Sequence, residues 1–421
     1  MTAVTPSRSL SNGLFAGRPM AAGPELIGEH TARLGPLPGP EATRDLIPAL
    51  ELSGLLGRGG AGFPVGRKWR SIAERSDGRA VVVANGAEGE PLSAKDRAVM
   101  TLRPHAVLDG VLLATEAVGA DEAILYVGAG HGAARRSLAA ALAERPMPMP
   151  VRIVDAPDRY VAGEESAAVH FVNDGDARPT NVPPRPYERG VGGRPTLVQN
   201  VESLAYAGLI ARFGADWFRS AGGDGRAGNP GAGLGLVTLV GVDHPGVREI
   251  ELGSPLGEVV AASGTRRDEA RAVLLGGYFG RWVPAPDAWD LALDPTAMRS
   301  AGLTFGCGVI SVLGLDTCGV RATSRILDYL ADQSAAQCGP CVFGLRAIAD
   351  TTARLAAGGA QADDLAHLER WTGQIRGRGA CRHPDGAVNH LASAMRVFGD
   401  EFRRHQARRG CTAAGHGVRA S

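Results

Sequence analysis

Three short apolar runs, separated by stretches with helical spacing, constrain the fold of this chain more than any other feature of it. Ala80–Ala84 (AVVVA) reads as a buried strand and Ala106–Val118 after it as a helix. Ala123–Val127 (AILYV) is a second strand, Ala133–Ala143 a second helix and Val151–Val154 a third strand. Strands that alternate with helices predict an α/β layer with parallel strands. The texture changes near residue 233. Leu236–Val240 and Val247–Leu252 flank His244-Pro245-Gly246, a hairpin-type turn. A short helix near Leu256–Ala262 and a strand at Ala272–Leu275 complete a compact β-rich unit of the β-grasp type. From about residue 319 the chain turns helical: Val388, Leu391, Met395, Phe398 and Phe402 recur at three- and four-residue steps as one apolar face, and four helices fit. The expected organisation is an α/β domain over 46–232, a β-grasp domain over 233–318 and a helical domain over 319–409. Residues 1–45 read as a Pro/Gly-rich, loosely packed arm and 410–421 as a tail.

Composition removes several function classes. A formal net charge of +1 argues against a dedicated nucleic-acid or membrane-surface protein. No apolar run approaches the length of about 18 residues that a spanning helix needs, and Met1–Leu26 lacks the apolar stretch of a secretory signal. A cytoplasmic protein without direct membrane insertion is expected. Lys68 and Lys95 are the only lysines among 45 Lys and Arg residues, and both fall inside the motifs below. The two side chains are not interchangeable, so the retained ammonium groups invite a reason.

The first motif is GRGGAGFPVGRKW, Gly57 to Trp69. It contains a formal G-x-G-x-x-G, yet Arg44–Leu56 before it reads as helical or irregular and Pro64 soon follows, so the strand–turn–helix of a dinucleotide fingerprint is missing. The general physics survives: glycines let backbone N–H groups approach an anion, and Arg58 and Lys68 can add charge. NGAEGEPLSAKDR (Asn85–Arg97), YVAGEES (Tyr160–Ser166) and GRPTLVQNVESLA (Gly193–Ala205) follow in order. These four blocks together resemble the FMN- and NADH-binding flavoprotein subunit of respiratory complex I and of NAD-linked hydrogenases and formate dehydrogenases, over about residues 47–405. The resemblance implies an α/β flavin-binding domain, a β-grasp (soluble-ligand-binding) domain and a C-terminal iron–sulfur helical bundle. It puts Gly57, Arg58, Gly59, Gly60, Ala61 and Lys68 on the FMN phosphate and ribityl side. Asn85, Glu88, Glu164 and Glu165 then lie around the flavin ring and nicotinamide side, with Glu90 nearby, and Tyr160, Gly163 and Asn200 complete the pocket. Glu90 and Glu165 are the candidate catalytic carboxylates.

Departures from the family pattern carry their own information. Ala87 stands where the acidic block N-A-D-E-G-E-P has its Asp. Of the aromatics that would stack on adenine, Phe63 is present, Ser71 replaces a second, and Arg185 in Val182-Pro183-Pro184-Arg185-Pro186 replaces a third, with Val182 in place of a Lys. Stacking is worth roughly 1–3 kcal/mol per base, so NADH is expected to bind weakly or not at all, while Arg185 can stack or meet a phosphate instead.

Six cysteines occur, at 307, 318, 338, 341, 381 and 411. Without a signal peptide, a disulfide framework is not expected, and the Cys-x-x-Cys pair points to metal, cluster or redox chemistry. The family motif S-C-G-x-C-x-P-C appears here as Ser334-Ala335-Ala336-Gln337-Cys338-Gly339-Pro340-Cys341, and Cys381 matches the distant fourth ligand. By resemblance Cys338, Cys341 and Cys381 are metal ligands, and Ala335 replaces the fourth that a [4Fe–4S] cluster normally takes. Four outcomes are open: a non-cysteine ligand such as His383 or solvent, a three-iron cluster, recruitment of Cys318 or Cys307, or no cluster at all. Cys411 is expected to have no role. Gly128–Gly132 reads as a tight turn, His105 as structural, and His383, His390 and His405 show no metal spacing.

The functional expectation is an FMN-dependent oxidoreductase of the NADH-dehydrogenase type. It would pass electrons to an iron–sulfur centre or ferredoxin-like partner. A catalytically silent scaffold subunit and a small-ligand-binding module are the alternatives.

Overall fold

The computed structural model describes residues 12–39, 44–221 and 233–408. The three apolar runs form parallel strands as the alternation requires. β1 (Ala80–Gly86), β2 (Ala120–Gly128), β3 (Val151–Ala156) and β4 (Thr196–Asn200) make a sheet in the order β3-β2-β1-β4, every pair parallel. The helices α1 (Pro104–Val118), α2 (Glu165–Asp174) and α3 (Val201–Ser220) cover both of its faces. That is why β1 is a continuous apolar run rather than an alternating one. Val82 and Ala84 pack with α1 and α3, whereas Val81 and Val83 pack with α2. Gly110 lets α1 and α3 cross closely: a Cβ there would stand 2.1 Å from Leu204 O.

Two helices, Leu46–Ser53 and Val65–Ala73, precede the sheet and flank the glycine-rich loop, so that loop is entered from a helix and not from a strand. The N-terminal segment departs from the loosely packed arm expected of its Pro/Gly content. Leu14 is fully buried, and the amides of Leu14 and Phe15 donate to the Glu249 carboxylate at 2.9 Å each. The helix Ile27–Leu34 carries His30 into a buried ionic group, with Nε2 2.7 Å from Asp109 and Nδ1 3.2 Å from Glu25. Local composition missed this because the Glu249 contacts lie some two hundred residues away in sequence. The expected tail at 410–421 and Cys411 lie outside the described residues.

The second sheet contains β5 (Leu234–Val240), β6 (Gly246–Glu251), β7 (Ala270–Leu275), β8 (Arg281–Pro284) and β9 (Val309–Gly314), in the order β6-β5-β9-β7-β8. β5 and β6 form the hairpin marked by His244-Pro245-Gly246, and β5 and β9 run parallel at the centre. The helix Leu256–Ala261 packs on one face through Leu256 and Val260. The C-terminal helices pack on the other face, where Trp282 N–H donates to Ser393 Oγ at 3.0 Å. Those helices are Gly319–Asp332, Arg346–Ala357, Asp364–Ile375, His383–Val397 and Gly399–Gln406. The apolar face expected over 388–402 as one helix is broken at Phe398, before Gly399, though Phe398 and Phe402 both stay in the core.

Candidate functional site

The carboxyl ends of β1 and β4 put Asn85 and Asn200 in register side by side. The chain leaves β1 toward β2 and returns to β4 on its opposite side, and ligands of open α/β sheets bind at such a reversal. Both asparagines are held there. Asn85 Nδ2 donates to Gly163 O at 2.8 Å, and its Oδ1 accepts from Ala87 N–H at 3.2 Å. Asn200 caps α3 by accepting from Glu202 N–H at 3.0 Å and donates to Asp96 Oδ2 at 2.8 Å. The glycine-rich loop lies against this pair: a Cβ on Gly59 would be 3.6 Å from Asn200 Cβ.

The loop is pinched at its neck. Leu56 bridges Pro64, Gly57 N–H donates to Phe63 O at 2.8 Å, and Val65 N–H donates to Leu55 O at 2.9 Å. Between these ties, the amides of Gly59, Gly60, Ala61 and Gly62 have no hydrogen-bond acceptor among the described residues. Gly60 sits at φ 103° and Gly62 at φ 64°, a conformation that turns successive N–H groups into one concavity and that residues with a Cβ resist. The hollow beside the loop has a volume of ≈ 240 Å³. Its far wall comes from the second sheet unit, through Pro295, Arg299, Thr304 and Phe305. A run of unpartnered amides at a sheet reversal, with a lysine one helical turn away, fits the phosphate end of FMN. That lysine, Lys68, is partly exposed and bonds Glu165 at 2.8 Å.

Several expected residues do other work. The Arg58 guanidinium is buried and donates to Leu234 O at 2.8 Å, lies 3.7 Å from Glu202 and stacks 6.0 Å from the Phe305 ring, while its amide donates to Ser203 Oγ at 2.9 Å. It fastens the loop to the second sheet. Glu88 turns inward and accepts from Ser93 Oγ (2.7 Å) and the amides of Asp96 (2.9 Å) and Arg97 (3.0 Å), the first turn of the helix Lys95–Leu102. Glu164 caps α2 by accepting from Ser166 and Ala167 N–H. Carboxylates are favoured at helix N-termini, which explains both placements. Lys95 is buried between Asp96 (2.7 Å) and Glu202 (2.8 Å) and serves the interior. Gly128–Gly132 is the expected tight turn, its Gly130 amide already on Asp158, and His105 is buried against Glu144.

Glu90 and Tyr160 form a seam between the two halves of the molecule. Tyr160 O–H donates to Glu90 Oε2 at 3.0 Å, and the same oxygen accepts from Tyr278 N–H at 2.8 Å. Burial pushes the Glu90 carboxyl up to about 7, against the opposing pull of these donors. Tyr160 N–H donates to Gln333 Oε1 at 3.1 Å, and its ring lies 4.7 Å from Phe279 and 5.6 Å from His383. One residue thus joins the strand that leads to Gly163 with the helices that carry the cysteines. Glu165 remains at the rim, with Arg185 3.9 Å away; Phe63 is half exposed there.

Cys338 and Cys341 share one turn, with Cys341 N–H on Cys338 O at 3.0 Å. Burial pushes the Cys341 thiol up to about 12, and the nearby Cys338 and Cys381 thiols add to that. Burial pushes the Cys381 thiol up as well. Three neighbouring thiols are the donor type an iron–sulfur group takes, so the residues present suit that group in kind, one thiol short of the usual four. Among the described residues, no three His, Cys, Asp or Glu side chains are arranged to hold a single metal ion. Cys318 lies apart, 3.5 Å from His405 Nε2, and Cys307 beside Gly276 and Glu90.

Arg299, Thr304, Phe305 and Tyr278 carry no mark in the sequence. No spacing links them to the loop, and only the fold brings them there.

Residues 50–207 match the Nuo51 FMN-binding domain family, and residues 321–405 the NADH-ubiquinone oxidoreductase-F iron–sulfur binding region. An F subunit of the NADH-quinone oxidoreductase of Rhizobium meliloti, its F 2 form, is 30% identical over 384 residues, covering 87% of this chain and 90% of the relative. This chain belongs to the family of NADH-quinone oxidoreductase F subunits. The F subunit of the Streptomyces coelicolor NADH-quinone oxidoreductase is 31% identical over 392 residues, covering 88% of this chain and 85% of that one. A chain of an NAD+-reducing [NiFe]-hydrogenase in the air-oxidised state superposes with a TM-score of 0.75 at 30% identity over 88% of this chain. This chain spans 64% of that longer chain. Among the described residues no helix is long and apolar enough to cross a membrane.

Proposed function

We propose that this chain is an electron-transfer flavoprotein that holds FMN at the Gly57–Phe63 loop. It delivers electrons singly to an iron–sulfur centre at Cys338, Cys341 and Cys381 and then to a ferredoxin-like iron–sulfur partner. FMN supplies the conversion between two-electron and one-electron chemistry. The amides of Gly59 to Gly62 and the Lys68 ammonium grip the phosphate. Asn85 and Asn200, fixed by their own hydrogen bonds, stand at the strand ends beside Gly163 and the loop. Tyr160 ties that side of the site to the cysteine helices and excludes water from the seam around Glu90. Glu165 stays at the rim as the carboxylate nearest Lys68 and Arg185.

The observation that carries this reading is the row of four unpartnered loop amides at the sheet reversal. The same reading divides the chain into a flavin-binding α/β domain, a β-grasp domain and a helical iron–sulfur domain. For the β-grasp domain it draws support from the strand order of the second sheet, with its first and last strands parallel at the centre. It expects a cytoplasmic location. NADH is a weak donor on this reading: Ser71 and Arg185 occupy positions where the family stacks adenine, and Arg185 is drawn toward Glu165. The test is an anaerobic spectrum of protein reconstituted with FMN, before and after NADH. Flavin bands that bleach slowly with micromolar NADH and promptly with dithionite support the proposal. Fast bleaching by micromolar NADH removes the weak-donor part of it. A protein that takes up no FMN is a scaffold subunit instead.

A further inference from the structure

The hollow beside the glycine-rich loop is walled by both sheet units, and its charged lining residues are Arg58 and Arg299, with no Asp or Glu among them. The two arginines stand differently. Arg58 belongs to the loop, yet its guanidinium is buried and engaged with Leu234 O and Glu202. Arg299 comes from the second unit, and its guanidinium has no hydrogen-bond or ion-pair partner among the described residues. It reaches the loop all the same: a Cβ built on Gly62 would stand 2.9 Å from one of its terminal nitrogens. The short helix Pro295–Ser300 sets this position. Asp294 caps it by accepting from Ala297 N–H at 2.5 Å, and Pro295 and Met298 are buried beneath it, which leaves Arg299 on the side of the hollow. Lys68, bonded to Glu165, is not among the lining residues.

Resting on the flavoprotein reading above, we propose that Arg299 is a phosphate-binding residue of the loop, contributed by the second sheet unit. An unpaired guanidinium opposite amides that lack acceptors is a donor set for phosphoryl oxygens, the fork from one side and the main chain from the other. A nucleotide phosphate held in this way joins the two units through the ligand. The flavin phosphate and the diphosphate of a dinucleotide present the same oxygens to it.

The experiment compares wild type, Arg299→Met and Arg299→Lys as full chains freed of flavin. Arg299 is exposed, so the unfolding midpoint without ligand should not move. Flavin fluorescence is expected to show FMN binding to Arg299→Met about tenfold more weakly, riboflavin within about twofold of wild type, and Arg299→Lys in between. Unchanged FMN affinity with about a tenfold loss of ADP-ribose by the FMN-loaded protein also supports the proposal and assigns the arginine to the dinucleotide's diphosphate. The proposal is overturned if neither FMN nor ADP-ribose weakens, or if FMN and riboflavin weaken in equal proportion. Wild type that takes up no flavin removes the flavoprotein reading alone, and inorganic pyrophosphate then decides this one. A raised unfolding midpoint in wild type that is absent in Arg299→Met supports it, and no difference between the two proteins overturns it.

Discussion

The flavin side of the molecule and the cysteine corner have both lost a side chain that the family pattern contains, Asp to Ala87 in one and Cys to Ala335 in the other, and the two losses weigh differently. The hollow is built from main chain. Its donors are the amides of Gly59 to Gly62, which no nearby substitution deletes so long as the loop keeps its φ angles. Ala87 is buried, and a Cβ on Gly163 would stand 3.7 Å from its methyl. The cysteine corner is built from side chains. On the proposed reading each thiolate would be a ligand in itself, so Ala335 in place of Cys subtracts one outright, whatever the backbone does. A site made of backbone tolerates sequence drift that a site made of side chains does not.

The sharpest challenge to this contrast is an attack on the backbone of the hollow. Gly60→Val puts a β-branched residue at φ 103°, a strain of about 1–3 kcal/mol, and directs its side chain into open space beside the loop. FMN affinity, followed by quenching of flavin fluorescence, is expected to fall by roughly a hundredfold. Unchanged affinity would mean that the loop amides are not the binding surface.

A second test addresses the seam between the two regions. The Glu90 carboxyl is raised from 4.5 to about 7 in the folded protein, so the folded state holds its proton more tightly than the unfolded chain does. Stability from this group is complete below pH 4.5 and is lost as pH rises through 7, by at most roughly 3 kcal/mol. Glu90→Gln should therefore abolish much of the fall in unfolding midpoint between pH 5 and pH 8 that wild type shows in urea. Parallel pH profiles for the two proteins would count against a carboxyl buried in this way.

Smaller effects come from the rim. Lys68→Met removes the partly exposed ammonium on the helix that follows the loop and is expected to weaken FMN by about tenfold, a charge-assisted hydrogen bond's worth. Arg185→Phe returns a ring to the dinucleotide side and should strengthen NADH by about fivefold, measured as the concentration that half-bleaches the flavin anaerobically. If Arg185→Phe weakens NADH instead, the arginine is a dinucleotide ligand and the rim is adapted rather than eroded.

Much of this was legible in the sequence because it is local. The strand runs of β1 to β3, the hairpin at His244-Pro245-Gly246 and the cysteine spacing are patterns within a few residues. Glu164 could have been recognised as a helix cap, since it immediately precedes α2 and accepts from its first amides, whereas Glu88 reaches the helix Lys95–Leu102 from several residues away. The N-terminal segment could not, because Leu14 is held by Glu249 and Arg103, far along the chain. Nor could the Arg58 guanidinium, which turns from the hollow to Leu234 only because β5 passes beneath the loop. Arg299, Thr304 and Phe305 reach the hollow from the second sheet unit, and no pattern in their own neighbourhood marks them.

The most direct measurement is a parallel titration of the flavin-free protein with FMN and with riboflavin. The two ligands differ only in the phosphate that Lys68 and the amides of Gly59 to Gly62 are held to bind. FMN is expected to bind at least about tenfold more tightly, a gap that narrows in Lys68→Met. Equal affinities for the two flavins would mean that the loop and its lysine do not grip a phosphate.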